Sequence, residues 1–168
     1  MSDCGILFVR KMNHNLVSGF SSLLDTIKQI NCEMMREDFM LMTSIAYGQF
    51  KYQNRIEFPG IEKNPIYGNA YISAYLDTER DNPRIQPGQC RIVRENLPTN
   101  IINAIEQGHP TDPYSLIKTR KRDSQHFYFY WMVHESFQIE RFEQEYRDTY
   151  NLKYTGMLQA LKNAVNNL

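Results

Sequence analysis

The chain has 168 residues, of which 42% are hydrophobic and 23% are charged, with 19 basic and 19 acidic side chains. A chain of this length fits one domain and buries about two thirds of the surface that its unfolded form exposes. The balanced charge argues against a nucleic-acid or membrane surface, and no apolar run approaches the roughly 18 residues of a membrane span.

The first predicted elements are a strand and a long helix. The short apolar run at residues 6–9 predicts a buried strand. Apolar residues at three- and four-residue spacing then predict a helix over residues 16–37. Residues 39–52 are rich in β-branched and aromatic side chains and predict a strand, which a turn at residues 53–54 would join to a second strand at residues 55–58.

The rest of the chain alternates helices with strands. We predict a helix at residues 68–81, a strand at 89–94, a helix at 99–107, a hairpin of strands at 114–119 and 126–132, and helices at 137–150 and 154–165. Successive aromatic residues in the last strand suit a strand that is covered on both faces. The pattern predicts an α+β sandwich, with helices on one face of a mostly antiparallel sheet.

Cysteine and histidine residues give no sign of a cross-linked or metal-bound framework. The cysteines, Cys4, Cys32 and Cys90, are odd in number and widely separated, which favours a reducing, cytoplasmic compartment. The histidines, which are His14, His109, His126 and His134, lack ligand spacing, so we expect each to be exposed or satisfied within the fold.

Two ordered motifs carry the most specific information in the chain. The first is Met42-Thr-Ser-Ile-Ala-Tyr-Gly48, a predicted strand that ends in glycine. The second begins at Gly68, where a Gly-x-Ala helix start leads through Ala74-Tyr75 to Pro83-Arg84-Ile85. Together they resemble the strand and the glycine-led helix of class III nucleotidyl cyclases, and in particular the bacterial pyrimidine cyclases of antiphage signalling.

The resemblance implies a single domain with a ferredoxin-like, cyclase-type core at residues 1–94, followed by a C-terminal hairpin and helical extension at residues 95–168. Such an enzyme joins the ribose 3′-hydroxyl to the α-phosphate, using two aspartates to hold Mg²⁺ or Mn²⁺. Asp3, within Ser2-Asp3-Cys4, is similar to the second of these aspartates, and the first has no counterpart. The alternative interpretation of Asp3 is a solvated terminal residue.

The helix departs from the cyclase pattern where catalysis depends on it. The family carries an asparagine four residues after the glycine and an arginine four residues later, and these positions are Ile72 and Leu76 here. Each replacement removes a phosphate donor worth on the order of 3 kcal/mol in comparable sites. Met42 likewise replaces an arginine of the preceding strand, and Pro65 stands where many cyclases place an acidic residue that reads the base.

The resemblance therefore implies a catalytically degenerate domain that acts by binding, regulation or dimerisation, as a homodimer or with a cyclase-like partner. Two alternatives stay open. One is an active cyclase with Mg²⁺ or Mn²⁺, if the missing metal-binding strand lies upstream or in a partner. The other is a nucleotide-sensing module without turnover, in which Gly68, Tyr71 and Tyr75 line the nucleotide site; the two tyrosines alternatively pack in the core or in a dimer interface.

Overall fold

The computed structural model describes residues 4–9, 15–53, 55–58, 61–63, 65–109 and 112–166. Contacts group the chain into two compact units. The helical unit consists of Met1–Met40, Thr99–Ile117 and Trp131–Leu168, and the sheet unit of Leu41–Pro98 and Lys118–Tyr130. Asp3 and His14 lie outside the described residues.

The helices and strands confirm the predicted α+β class. In chain order they are α1 (Leu16–Arg36), β1 (Thr43–Ile45), β2 (Lys51–Tyr52), β3 (Arg55–Phe58), β4 (Ile61–Lys63), β5 (Ile66–Tyr67), α2 (Asn69–Thr78), β6 (Cys90–Val93), α3 (Thr99–Glu106), β7 (Ile117–Arg120), β8 (Asp123–Phe129), α4 (Gln138–Asp148) and α5 (Lys153–Asn166). Single turns of 3₁₀ helix lie at Pro113–Leu116 and Tyr150–Leu152. No described helix is long and apolar enough to cross a membrane.

The helical unit is organised around α1. Asn15 caps this helix, because its side-chain oxygen accepts a hydrogen bond from the Ser18 N–H at 3.2 Å. The buried residues of α1 follow a three- and four-residue spacing and form one stripe: Phe20, Leu24, Ile27, Asn31 and Met35. The helix packs against α3 and α5, and α4 packs against α5. The predicted amphipathic helix is thus confirmed within one residue of its expected end.

The sheet unit contains a four-stranded sheet in the order β1-β6-β8-β7. Strand β1 is parallel to β6, and β6 is antiparallel to β8. In this register Ser44 lies opposite Arg91, and Arg91 lies opposite Tyr128. Opposed residues point to the same face of a sheet, so these three polar side chains form a row across three strands. Helix α2 precedes β6 in the chain and contacts both β1 and β6.

Three strand predictions are wrong. Residues 6–9 form no strand, and each of these four side chains is at least 40% exposed. The strand predicted at residues 39–52 is split into β1 and β2 by the segment around Gly48. In place of the expected pairing of β2 with β3, β2 pairs with β5 and β3 pairs with β4. These two pairs form separate two-stranded sheets, and which strands pair depends on tertiary context that residue preferences do not specify.

The predicted hairpin near residue 120 is confirmed, with a shifted start. Pro113 occupies the first turn of the 3₁₀ helix, so the strand expected from residue 114 begins only at Ile117. The second strand, expected at residues 126–132, is β8 and lies three residues earlier, at Asp123–Phe129. It is buried over its aromatic part, in agreement with the prediction that both faces are covered.

Candidate functional site: helix α2 and its buried anchor

The segment that follows β1 packs closely against the start of α2. Gly48 and Gly68 have φ angles of +155° and +131°. A Cβ atom on Gly68 would lie 2.2 Å from the Gln49 carbonyl oxygen. The same carbonyl accepts a hydrogen bond from the Ala70 N–H at 3.2 Å, and the Gln49 N–H donates to Asn69 Oδ1 at 2.6 Å. Gly68 therefore allows a close approach to the Gln49 backbone, and Gly48 leaves room for the Asn69 side chain, where in each case a Cβ atom would clash.

One face of α2 presents apolar side chains to the surface of the chain. Ile72 is 52% exposed, Tyr75 is 50% exposed and Leu76 is 58% exposed. Residues three and four apart are neighbours on a helix, so these three side chains form a continuous patch, which we call the α2 face. Tyr71 is less exposed, and its ring centroid lies 6.3 Å from that of Tyr75.

Asp77 anchors the opposite side of α2 and is the buried residue of this helix. Its carboxylate accepts four hydrogen bonds. Ser44 Oγ donates to Oδ2 at 2.7 Å, and His126 Nε2 lies 2.8 Å from Oδ1. Arg91 supplies the other two, from Nη2 to Oδ1 at 2.8 Å and from Nε to Oδ2 at 3.2 Å. A carboxylate with this many donors is ionised.

Arg91 also caps the C-terminal end of α2. Its Nη2 donates to the backbone carbonyl of Asp77 at 2.7 Å, and its Nη1 donates to the Pro83 carbonyl at 2.6 Å. The last carbonyls of a helix have no partner within the helix, and a cation there is favourable. Arg91 is completely buried, and the alternating pattern of β6 turns it toward α2.

His126 lies between two carboxylates. Its Nε2 faces Asp77, and its Nδ1 lies 2.8 Å and 2.9 Å from the two oxygens of Asp123. Asp123 also accepts hydrogen bonds from the Tyr128 hydroxyl at 2.6 Å and from the Gln125 N–H at 3.0 Å. A neutral imidazole has a single N–H and can donate to only one carboxylate, whereas the imidazolium ion donates to both.

The shifts in pKa agree with a protonated ring. Burial lowers the pKa of His126, but the hydrogen bonds and charges of Asp77 and Asp123 outweigh it and raise the pKa above its ordinary value. Burial raises the pKa of each aspartate, and donors from His126 and its neighbours bring both below the ordinary value. With Arg91, the four charges of this cluster sum to zero, as a buried ionic group requires.

The geometry of the cluster differs from that of a nucleophilic triad. A serine nucleophile needs a histidine that accepts its proton. Here Ser44 donates to Asp77, and both ring nitrogens of His126 contact carboxylates. The cluster therefore holds α2 on the sheet and has no free base. Among the described residues, no group of three or more histidine, cysteine or acidic side chains is arranged to hold a metal ion.

The predicted site residues other than Asp3 lie on α2 or immediately before it. Gly68 is the residue before its first turn, Ile72, Tyr75 and Leu76 form its exposed face, and Tyr71 lies beside that face. Asp3, the predicted metal ligand, lies outside the described residues. His126, expected from the sequence to be either exposed or satisfied within the fold, is buried between Asp77 and Asp123, two partners that the sequence does not identify.

A signal for the missed partners was present in the sequence. Arg91 lies within the strand predicted at residues 89–94, and His126 directly precedes a run of five aromatic residues. Charged groups inside segments that are otherwise buried need partners, because an unpaired buried charge is costly. This signal indicates that partners exist without saying which residues they are.

A comparison of the chain with protein-family models, with curated proteins and with solved structures finds no match in any of the three.

Proposed function

We propose that the chain is a non-catalytic domain of the nucleotidyl-cyclase type, whose role is to pair with a second copy of itself through the α2 face. The observation that carries this proposal is the exposure of Ile72 and Leu76, at 52% and 58%. In the resembled family these two positions hold polar catalytic groups.

The loss of catalysis follows from the chemistry of the side chains. A developing charge on a transferred phosphate needs preorganised donors, and aliphatic side chains offer none. Both substitutions lie on the same face of α2, so the surface that would meet the phosphate is apolar instead. The change favours burial against another apolar surface over contact with a triphosphate.

The α2 face is well suited to pairing because α2 is fixed at both ends. The Gln49 backbone is hydrogen-bonded to its start, and Arg91 binds both the backbone carbonyl and the carboxylate of Asp77 near its end. A surface that is already ordered loses little conformational entropy when it binds. An apolar stripe along one short helix can also face its own symmetry mate, since a two-fold interface brings the same patch together from both chains.

The test is the oligomeric state of a double variant, Ile72→Asp with Leu76→Lys. Burying two ionised groups costs several kcal/mol, which is enough to dissociate a dimer of micromolar affinity. We expect light scattering to show a wild-type dimer above about 10 μM and a folded monomer for the variant. Circular dichroism confirms folding. The control is Phe137→Asp, which removes a 74% exposed aromatic residue of the helical unit and should leave the dimer intact.

Several outcomes contradict self-pairing. A wild-type monomer at these concentrations means that the α2 face serves a different partner, such as a cyclase-like chain. A folded, unchanged dimer of the double variant places the interface elsewhere. A variant that unfolds shows that the two residues are part of the core. A rise in melting temperature with a nucleoside triphosphate, by contrast, would support the nucleotide-sensing alternative.

A further inference from the structure

We propose that His126 forms a proton-dependent contact between α2 and β8, which breaks when the ring loses its second proton, while Arg91 continues to hold α2 on β6. The inference rests on the geometry of the ring between two carboxylates. Its consequence for pairing, given below, additionally rests on the proposed function.

The titratable and charged groups of this cluster come from α2, β6, β7 and β8. They are Asp77 of α2, Arg91 of β6, Asp123 and Tyr128 of β8 and, behind the Tyr128 ring at 3.9 Å, Arg120 of β7. From strand β1, the neutral hydroxyl of Ser44 donates to Asp77. The two carboxylates are in direct contact with the ring, whereas the guanidinium of Arg91 is directed at Asp77.

Loss of the proton leaves one ring nitrogen with a lone pair directed at a carboxylate oxygen 2.8 Å away. The charge balance of the two aspartates decides which contact is lost. Asp77 is already balanced by Arg91, through two hydrogen bonds to its carboxylate. Asp123 has His126 as its contacting cation. The remaining N–H therefore stays with Asp123, and the lone pair on Nε2 repels Asp77.

The contact that becomes repulsive is the one that joins α2 to β8. Arg91 still ties the end of α2 to β6 through the Asp77 and Pro83 carbonyls, so α2 is not released. We expect the helix to pivot away from β8 about this point. Because the α2 face is the proposed pairing surface, the dimer should weaken over the same pH range.

The experiment follows the ring nitrogens of His126 by ¹⁵N NMR, between about pH 5.5 and 9, together with the backbone amides of residues 75–79. It uses the variant Ile72→Asp with Leu76→Lys, which the proposed function expects to be monomeric and which light scattering checks first, so that pairing does not enter the result. We expect both nitrogens to be protonated at low pH. Nε2 should lose its proton with a midpoint above the ordinary histidine value of about 6.5, and the α2 amides should shift with the same midpoint. His126→Gln assigns the signals and should abolish the amide transition.

A second variant tests the carboxylate partner. Asp123→Asn keeps an oxygen that accepts from Nδ1 but removes the charge, so the midpoint should fall by about 1 to 3 pH units. His134→Gln, the same type of change at an exposed histidine, should leave the midpoint unchanged. If Asp123→Asn does not fold, the titration of His126 in the variant Ile72→Asp with Leu76→Lys tests the inference by itself.

Two results would overturn the inference. One is a ring that is neutral at pH 6, and the other is a titration of His126 with no accompanying change in α2. Light scattering of the wild type over the same pH range then tests the link to pairing separately. A dimer that is insensitive to pH, together with a positive NMR result, rejects the link and leaves the contact between α2 and β8 in place.

Discussion

Asp77 and Arg91 form a two-point ion pair in the interior of the sheet unit, with Nη2 2.8 Å from Oδ1 and Nε 3.2 Å from Oδ2. Both side chains are almost completely inaccessible to solvent. A buried ion pair adds little to the free energy of unfolding compared with well-packed apolar residues in the same place. The removal of one partner, however, leaves a buried charge without compensation. The pair therefore defines where α2 lies on the sheet, more than it adds to total stability.

The first prediction concerns the loss of one member of this pair. Asp77→Ala should reduce the free energy of unfolding by about 3 to 5 kcal/mol, because Arg91 and His126 would be left buried without their carboxylate. Urea denaturation measures the change. The control is Glu145→Ala, which breaks the exposed pair with Arg141 and should cost less than about 1 kcal/mol. Equal costs for the two variants would show that Asp77 does not anchor α2.

The second prediction concerns the close contact between the Gln49 backbone and the start of α2. Gly68→Ala places a Cβ atom 2.2 Å from the Gln49 carbonyl oxygen and forces alanine into a positive φ, so we expect a loss of at least about 2 kcal/mol in stability. Gly19→Ala is the matched control. Gly19 lies inside α1 with room for a methyl group, and alanine there should stabilise the protein by about 0.5 to 1 kcal/mol. Thermal unfolding shows whether each substitution raises or lowers stability. If both substitutions change stability in the same direction, the close contact between Gly68 and Gln49 is not what makes glycine necessary at position 68.

The third prediction is the pH dependence of stability. The pKa of His126 is raised in the folded protein, so its contribution is complete below the unfolded value of about 6.5 and is lost as pH rises through the folded pKa. The pKa values of Asp77 and Asp123 are lowered, so their contribution is present above about 4 and is lost as pH falls through their folded values.

Stability should therefore be greatest between these two ranges, which denaturant midpoints measured across pH will show. His126→Gln should remove the decline on the alkaline side, whereas His134→Gln should retain it. An alkaline decline that persists in His126→Gln would assign the effect to another group.

The fourth prediction is the absence of turnover. The purified chain should form no cyclic nucleotide from any of the four nucleoside triphosphates with Mg²⁺ or Mn²⁺, because the donors expected at Ile72 and Leu76 are missing. Product analysis by mass spectrometry measures this. Product that disappears in an Asp3→Ala variant would show instead that the chain retains a cyclase site.

The local patterns of the sequence determined the main helices and the buried strands. The stripe of α1, the glycine start of α2 and the aromatic run of β8 were all predicted near their observed positions, since each depends on neighbours within a few residues. The same reasoning failed at residues 6–9. An apolar run of four residues becomes a strand only if another strand pairs with it, and its own composition does not supply that partner.

The tertiary structure alone decided the environment of α2. Ser44, Asp77, Arg91 and His126 come from four different elements, and only the register of β1, β6 and β8 brings them together. The sequence likewise located Ile72 and Leu76 on one face of a helix but left open whether that face is core or surface. Helical periodicity orders side chains around an axis, whereas burial depends on what packs against each side, and here Asp77 turns inward while the aliphatic residues turn outward.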